Sequence, residues 1–203
     1  MKKLLSLATA ALFLVGCEQA FTLEGEDANV QEVTEKAPSE LVVGVSISTL
    51  NNPFFVSLEE GINNLAEENG TKIKSLDAQN DTAKQTNDVD DLIQQGVDIL
   101  LINPVDSSAI TPAVESANAK GIPVITIDRS SESGKILALV ASDNVEGGEM
   151  AAEYIKQISG ENVETVQLEG VPGASASRER GKGFMNIAEE SLNVIDSQTA
   201  NFD

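Results

Sequence analysis

The chain has 203 residues, carries 33 Asp and Glu against 13 Lys and Arg for a formal net charge of −20, and contains no histidine. Such acidity argues against nucleic acid as a partner and against direct docking on anionic lipid. Without histidine there is no Ser-His-Asp triad, no histidine base and no ordinary zinc site, so neither metal nor cofactor is expected.

The first segments in chain order precede the fold. Met1-Lys2-Lys3, followed by an almost unbroken apolar run from Leu4 to Val15, reads as a secretory signal over residues 1–16. The run is too short to span a bilayer comfortably. Leu14-Val15-Gly16-Cys17 resembles the bacterial lipoprotein box, which implies cleavage before Cys17 and diacylglycerol on its sulfur. Cys17 is the only cysteine, so it makes no intramolecular disulfide and no metal cluster. Residues 17–40 then read as an acidic tether, with Glu18, Glu24, Glu26, Asp27, Glu32, Glu35 and Glu40 against a single Lys36.

The fold is expected to begin near Leu41. Leu41-Val42-Val43-Gly44-Val45 reads as a buried strand. Pro53 suits the first position of the helix that follows, to about Asn69, where Phe54, Leu58, Ile62 and Leu65 fall at helical spacing and Gly70 ends it. Phe54 and Phe55 stand about 100° apart around that helix and cannot both face one way. Lys72 to Leu76 is a half-buried strand, and Asp81 or Thr82 caps a helix carrying Val89, Leu92 and Ile93 that Gly96 stops. Asp98 to Ile102 reads as a strand covered on both faces. A helix with Ile110, Val114 and Ala117 ends at Gly121. Strands follow at Pro123–Ile127 and Ile136–Val140, a helix at Val145–Ile158, a strand at Val163–Leu168, a helix at Ser175–Glu190, and the start of a strand at Val194–Ser197.

Strands alternating with helices of this length give an α/β fold with a doubly wound parallel sheet. Asn52, Asn103, Asp128 and Arg129 each stand just after a strand, so they gather at the carboxyl edge of the sheet, where such folds bind ligands. A phenyl ring beside Asn52 suits a sugar, with the C–H face on the ring and hydroxyls on the amide. Enzyme motifs are missing. Gly173-Ala174-Ser175-Ala176-Ser177 lacks the last glycine of a nucleophile elbow, Gly181-Lys182-Gly183 is not a dinucleotide loop, and there is no Walker loop. The expected activity is therefore binding, not catalysis.

Five motifs in order carry a resemblance across Leu41–Asp203: Ser48 to Phe55, Leu100 to Pro104, Ile125 to Arg129, Ala141 to Asn144, and Gly173 to Gly181. Together they resemble the type I periplasmic binding proteins, the substrate-binding components of bacterial ABC importers. Asn-Asn-Pro-Phe-Phe with Arg-Glu-Arg-Gly is similar to the ribose-binding branch. The resemblance implies a sugar-binding lobe at 41–142, a second lobe at 143–203, and a cleft for D-ribose or a related monosaccharide between them. It implies contacts from Ser48, Asn52, Phe54, Phe55, Asn103, Asp128 and Arg129 in the first lobe and from Arg180 and Phe202 in the second. Arg178 is expected to be a surface or interlobe partner. The implied partners are the membrane subunits of an ABC permease or, as an alternative, a chemoreceptor or sensor kinase. The implied place is the cell envelope, lipid-anchored and facing the periplasm or exterior. The resemblance further implies that the second lobe is incomplete, a fragment or truncation lacking later strands and polar sugar contacts, with weak closure over a sugar.

Overall fold

A computed structural model describes residues 36–202. The signal segment, Cys17 and most of the expected tether lie outside the described residues. The remainder of the tether is bound to the fold. A 3-10 turn at Pro38–Glu40 accepts the Thr71 hydroxyl on its Pro38 carbonyl at 2.9 Å, and Lys36 pairs with Asp98. Asp98 also accepts the Val42 amide at 2.9 Å. The hydrogen bond from Lys36, then that from Val42, hold its carboxyl below the ordinary range against the opposing effect of burial.

The larger sheet is wholly parallel, with strands β1 (Val42–Ile47), β2 (Lys72–Asp77), β3 (Ile99–Ile102), β4 (Val124–Ile127) and β5 (Ala138–Val140) in the order β2-β1-β3-β4-β5. Helix α1 (Pro53–Asn69) covers one face, and α2 (Thr82–Gln94) and α3 (Thr111–Ala119) cover the other. Period-two alternation sorts the side chains. Val43, Val45 and Ile47 of β1 meet Phe55, Leu58 and Ile62 of α1. Leu100 and Ile102 of β3 meet Val89 and Leu92 of α2 and Val114 of α3. The chain leaves β1 in one direction to β2 and reaches β3 on the other side, so the strand order reverses between β1 and β3.

A second sheet is built from β6 (Glu164–Glu169) and β7 (Asn193–Thr199), also parallel, with α4 (Asn144–Ser159) and α5 (Ser175–Ser191) paired against each other. Their shared core is Ala152, Phe184, Ala188 and Leu192. Two glycines set the closeness of that helix pair. A Cβ built on Gly148 would overlap the Arg180 carbonyl, and one on Gly183 the Val145 carbonyl.

Three readings are corrected by packing. The buried stripe of α1 is Phe55, Leu58, Ile62 and Ala66, while Leu65 is 61% exposed and Phe54 57% exposed. The apolar period holds, but its phase is set by which side chains meet Val43, Val45 and Ile47 of β1. Next, β3 is fully covered only on the α2/α3 face. Ile99 and Leu101 stay half-buried because, among the described residues, α1 is the one helix on their side. Last, β5 is three exposed residues at the sheet edge, shorter than Ile136–Val140, because it pairs with β4 alone.

Gly44 lies on the crowded face of β1, where a Cβ would stand 2.9 Å from Leu100 Cδ2 and 3.3 Å from Leu92 Cβ. Gly61 lies mid-α1 with nothing within 4 Å. Gly44→Ala is expected to destabilise the protein by about 1–3 kcal/mol through overpacking. Gly61→Ala is expected to stabilise it by about 0.5–1 kcal/mol through helix propensity. Urea midpoints of the two variants, shifted in opposite directions, check the assignment of faces.

Candidate functional site

Beneath the carboxyl ends of β1, β3 and β4 lies a buried amide, Asn103. Its Oδ1 accepts the Ser48 hydroxyl at 2.6 Å and the Ser48 amide at 3.2 Å, and its Nδ2 donates to the Ile127 carbonyl at 3.0 Å. Gln85 of α2 supports it from below. Gln85 Nε2 donates to the Asn103 carbonyl at 2.9 Å and to Ser46 Oγ at 3.2 Å, and its Oε1 accepts the Val105 amide at 2.7 Å. Ser48 and Asn103 are thus buried under the cleft and line none of its cavities; each spends its polar groups on the other and on the backbone. Gln85 had no role in the sequence reading. Its signal was a polar residue four before Val89, on the stripe of α2 that faces the core.

The strut holds a tight turn at the end of β4. The Ile127 carbonyl also accepts the Arg129 amide at 2.7 Å, with Asp128 between them at φ +64°. A non-glycine residue in this left-handed region is strained and needs its surroundings to hold it. The Asp128 amide does so by donating to the Val140 carbonyl at 2.8 Å. The turn sends Asp128 and Arg129 into the space above the sheet.

That space is a cavity of about 160 Å³ lined by Asn52, Phe54, Phe55, Asp128, Arg129, Arg180 and Phe202. It adjoins a second, of about 290 Å³, which shares Asn52, Phe55, Arg129 and Phe202 and adds Thr49, Asn51 and Asn80. Of the nine expected ligand-binding residues, seven therefore converge, from both sheets. Asn52 arrives as the N-cap of α1, its Oδ1 accepting the Phe54 amide at 2.9 Å. Phe54 and Phe55 meet edge to face at 5.2 Å.

Arg129 is the centre of the arrangement. It is 3% exposed, with its guanidinium 5.1 Å from the Phe55 ring and 5.8 Å from the Phe202 ring. A desolvated cation between two aromatic faces gains more than an exposed one. Nη1 donates to the Pro104 carbonyl at 3.0 Å, while Nε is buried without a hydrogen-bond partner and stands 3.5 Å from Asp128 Oδ2. Burial lowers the Arg129 pKa, and Asp128 opposes that shift. Burial pushes the Asp128 carboxyl up, and Arg129 and Arg180 pull it back. One acceptor and two guanidinium forks in a partly buried cleft suit a small neutral molecule rich in hydroxyls. The cavity is below the about 300 Å³ at which drug-sized sites begin.

Beside the cleft the two sheets are joined by a polar seam that sequence reasoning missed. Ser107 donates its amide to the Gly173 carbonyl at 2.9 Å, and its hydroxyl accepts the Ser175 amide at 3.2 Å. Ser175 Oγ accepts the Ser130 amide at 2.9 Å. The approach is close: a Cβ on Gly173 would overlap the Asp106 carboxylate. On the outside, Arg178 pairs with Glu132 at 3.0 Å, bridging the β4–β5 connection and α5. Serines lying far apart in sequence carry no local signal of such a seam.

Residues 43–203 match the periplasmic binding protein domain family. The chain is 63% identical over 164 residues to the ribose import binding protein RbsB of Bacillus subtilis, covering 81% of this chain and 54% of that protein. It is 45% identical over 172 residues to the ribose import binding protein RbsB of Escherichia coli, covering 84% and 58%. Among solved structures, the Caulobacter myo-inositol binding protein bound to myo-inositol superposes with a TM-score of 0.77 at 31% identity, over 80% of this chain and 56% of that one. The chain spans about half the length of the curated relatives it matches.

The seam makes a stability test possible without any ligand. Ser175→Ala leaves the Ser130 amide unpaired in a half-buried place and is expected to cost about 1–2 kcal/mol. Arg178→Ala removes an exposed pair and two exposed hydrogen bonds, to the Pro172 and Gly173 carbonyls, and is expected to cost less than about 1 kcal/mol, since water replaces each partner. Thermal melts of the two variants, ranked in that order, check it.

Proposed function

The chain belongs to the periplasmic binding protein domain family, and on that premise we propose that the protein binds D-ribose reversibly in the cleft and delivers it to the membrane subunits of an ABC importer. The observation that carries the reading is Arg129. A buried guanidinium held between two phenyl rings keeps one N–H without a partner beside Asp128. A vicinal diol supplies what this group lacks: an oxygen for Arg129 Nε and Arg180, and a hydroxyl donor for Asp128. Asn52 offers its Nδ2 to a further oxygen, and the phenyl rings take the apolar C–H faces. The ribose import role of these relatives supports ribose, and it supports delivery to a transporter over signalling to a chemoreceptor.

In this reading residues 41–142 and 143–203 belong to two lobes, with 141–144 the crossing between them. The sugar joins Asp128 and Arg129 of one lobe to Arg180 and Phe202 of the other. Residues 1–16 act as an export signal, and Cys17 carries a diacylglyceryl anchor that keeps the protein at the cell envelope. A second acyl chain makes retention stable where a single chain does not.

Isothermal titration of the full-length protein is expected to show ribose bound in preference to allose, galactose and xylose; a preferred hexose overturns the assignment. Asp128→Ala is expected to cost about 2–5 kcal/mol of binding, because sugar donors lose a charged partner in a desolvated site. The bound sugar uses the charged carboxylate, and the Asp128 pKa is raised in the free fold. Affinity is therefore expected to fall on acidification at a higher pH than an ordinary aspartate would give.

Mass spectrometry of the membrane fraction is expected to find the mature chain starting at a diacylglyceryl-modified Cys17. Cys17→Ser is expected to release soluble protein or leave an uncleaved precursor, and normal anchoring of that variant refutes the anchor.

A further inference from the structure

We propose that Asn144 is the positioning residue for Arg180, fixing the plane of its guanidinium at the cleft. The inference rests on the sugar-binding reading of that cleft but is read out separately from it. Asn144 opens α4 and is 3% exposed. Its Oδ1 accepts from Arg180 Nε at 2.9 Å, and its Nδ2 donates to Glu179 Oε2 at 3.1 Å. Donor and acceptor on opposite sides fix the orientation of the amide, because turning it over would set a donor against a donor and an acceptor against a carboxylate.

Anchoring at Nε has a specific consequence. A guanidinium has five donors in one plane. Spending the inner one on Asn144 stops rotation about the side-chain axis and turns the outer nitrogens toward the cavity that Arg180 shares with Asp128. Those outer nitrogens make no hydrogen bond among the described residues, so they remain free for a ligand. An arginine exposed at its outer end is otherwise a mobile one, and ordering it on binding costs affinity.

The backbone sets up the contact. Asn144 and Arg180 come together because α4 and α5 touch at Gly148 and Gly183, where a Cβ would overlap the Arg180 and Val145 carbonyls. Asp143 fixes where α4 starts by accepting the Glu146 amide at 2.9 Å. Asn144 also sits four residues after the end of β5, on the segment that crosses from one sheet to the other. The crossing thereby ends on the residue that aims the cleft arginine.

The test reads Arg180 directly. In the unmodified full-length protein, the Arg180 Nε–H signal in a ¹⁵N spectrum, identified by its loss in Arg180→Lys, is expected to exchange slowly with water. Asn144→Ala is expected to bring it to the rate of an exposed arginine and to weaken ribose binding about threefold to tenfold, the range for ordering one long side chain. Asn144→Asp combined with Glu179→Gln reverses one donor–acceptor pair while keeping an acceptor for Arg180, and is expected to restore both readouts. In an Arg180→Met background, Asn144→Ala is expected to cause no further loss of affinity. An Arg180 Nε–H unaffected by Asn144→Ala overturns the inference, as does an equal affinity loss in the Arg180→Met background. Slow exchange lost on Asn144→Ala in a protein that ignores ribose upholds the positioning role and overturns the ribose reading instead.

Discussion

The cleft depends on one buried amide. At the point where the strand order reverses, β1 and β3 lead into loops that diverge, and the backbone groups just past their ends run out of sheet partners. Asn103 supplies them from a side chain, taking the Ser48 amide and hydroxyl on one side and giving to the Ile127 carbonyl on the other. Gln85 completes the network from α2. Every polar group in it is paired, which is what makes a buried polar network stabilising and specific rather than costly. The loop that carries Asn52 and the turn that carries Asp128 and Arg129 are thereby held to the same frame.

Above this frame, the cleft trades desolvation against charge. Arg129 loses water but gains two aromatic faces, a carbonyl and a nearby carboxylate. Asp128 loses water too, and its strained φ shows that the turn, not local preference, decides where the carboxylate stands. Neither charge is fully compensated within the protein, which sets the pair apart from a satisfied salt bridge in a core.

The opposite wall is organised by small residues. Gly148, Gly183 and Gly173 each sit where a Cβ would overlap a neighbour. The first two bring α4 and α5 together. The third lets the segment before α5 close on Asp106 and Ser107, forming the polar seam at the edge of the cleft. Arg180 and Phe202 face Arg129 and Phe55 because these backbones can approach so closely. Near Phe202 a fourth glycine, Gly170, leaves room for the ring.

Alternating apolar segments, a proline at the start of α1, glycines at helix ends and polar residues after strands are all local patterns, and local chemistry determines them. The parallel doubly wound sheet and the edge at which Asn52, Asp128 and Arg129 gather therefore followed from the sequence alone. The phase of α1 did not. Leu65 satisfies the helical period as well as Ala66 does, and only the packing of α1 on the sheet decides which is buried. Asn103 and Ser48 stand among the site residues by position, yet the direction of their side chains, downward into a buried strut, is set by partners 55 and 24 residues away. Gln85, Ser107, Ser175 and Asn144 belong to the same class. A hydrogen bond between distant segments leaves no periodicity, so it exists only once the tertiary structure has brought donor and acceptor together.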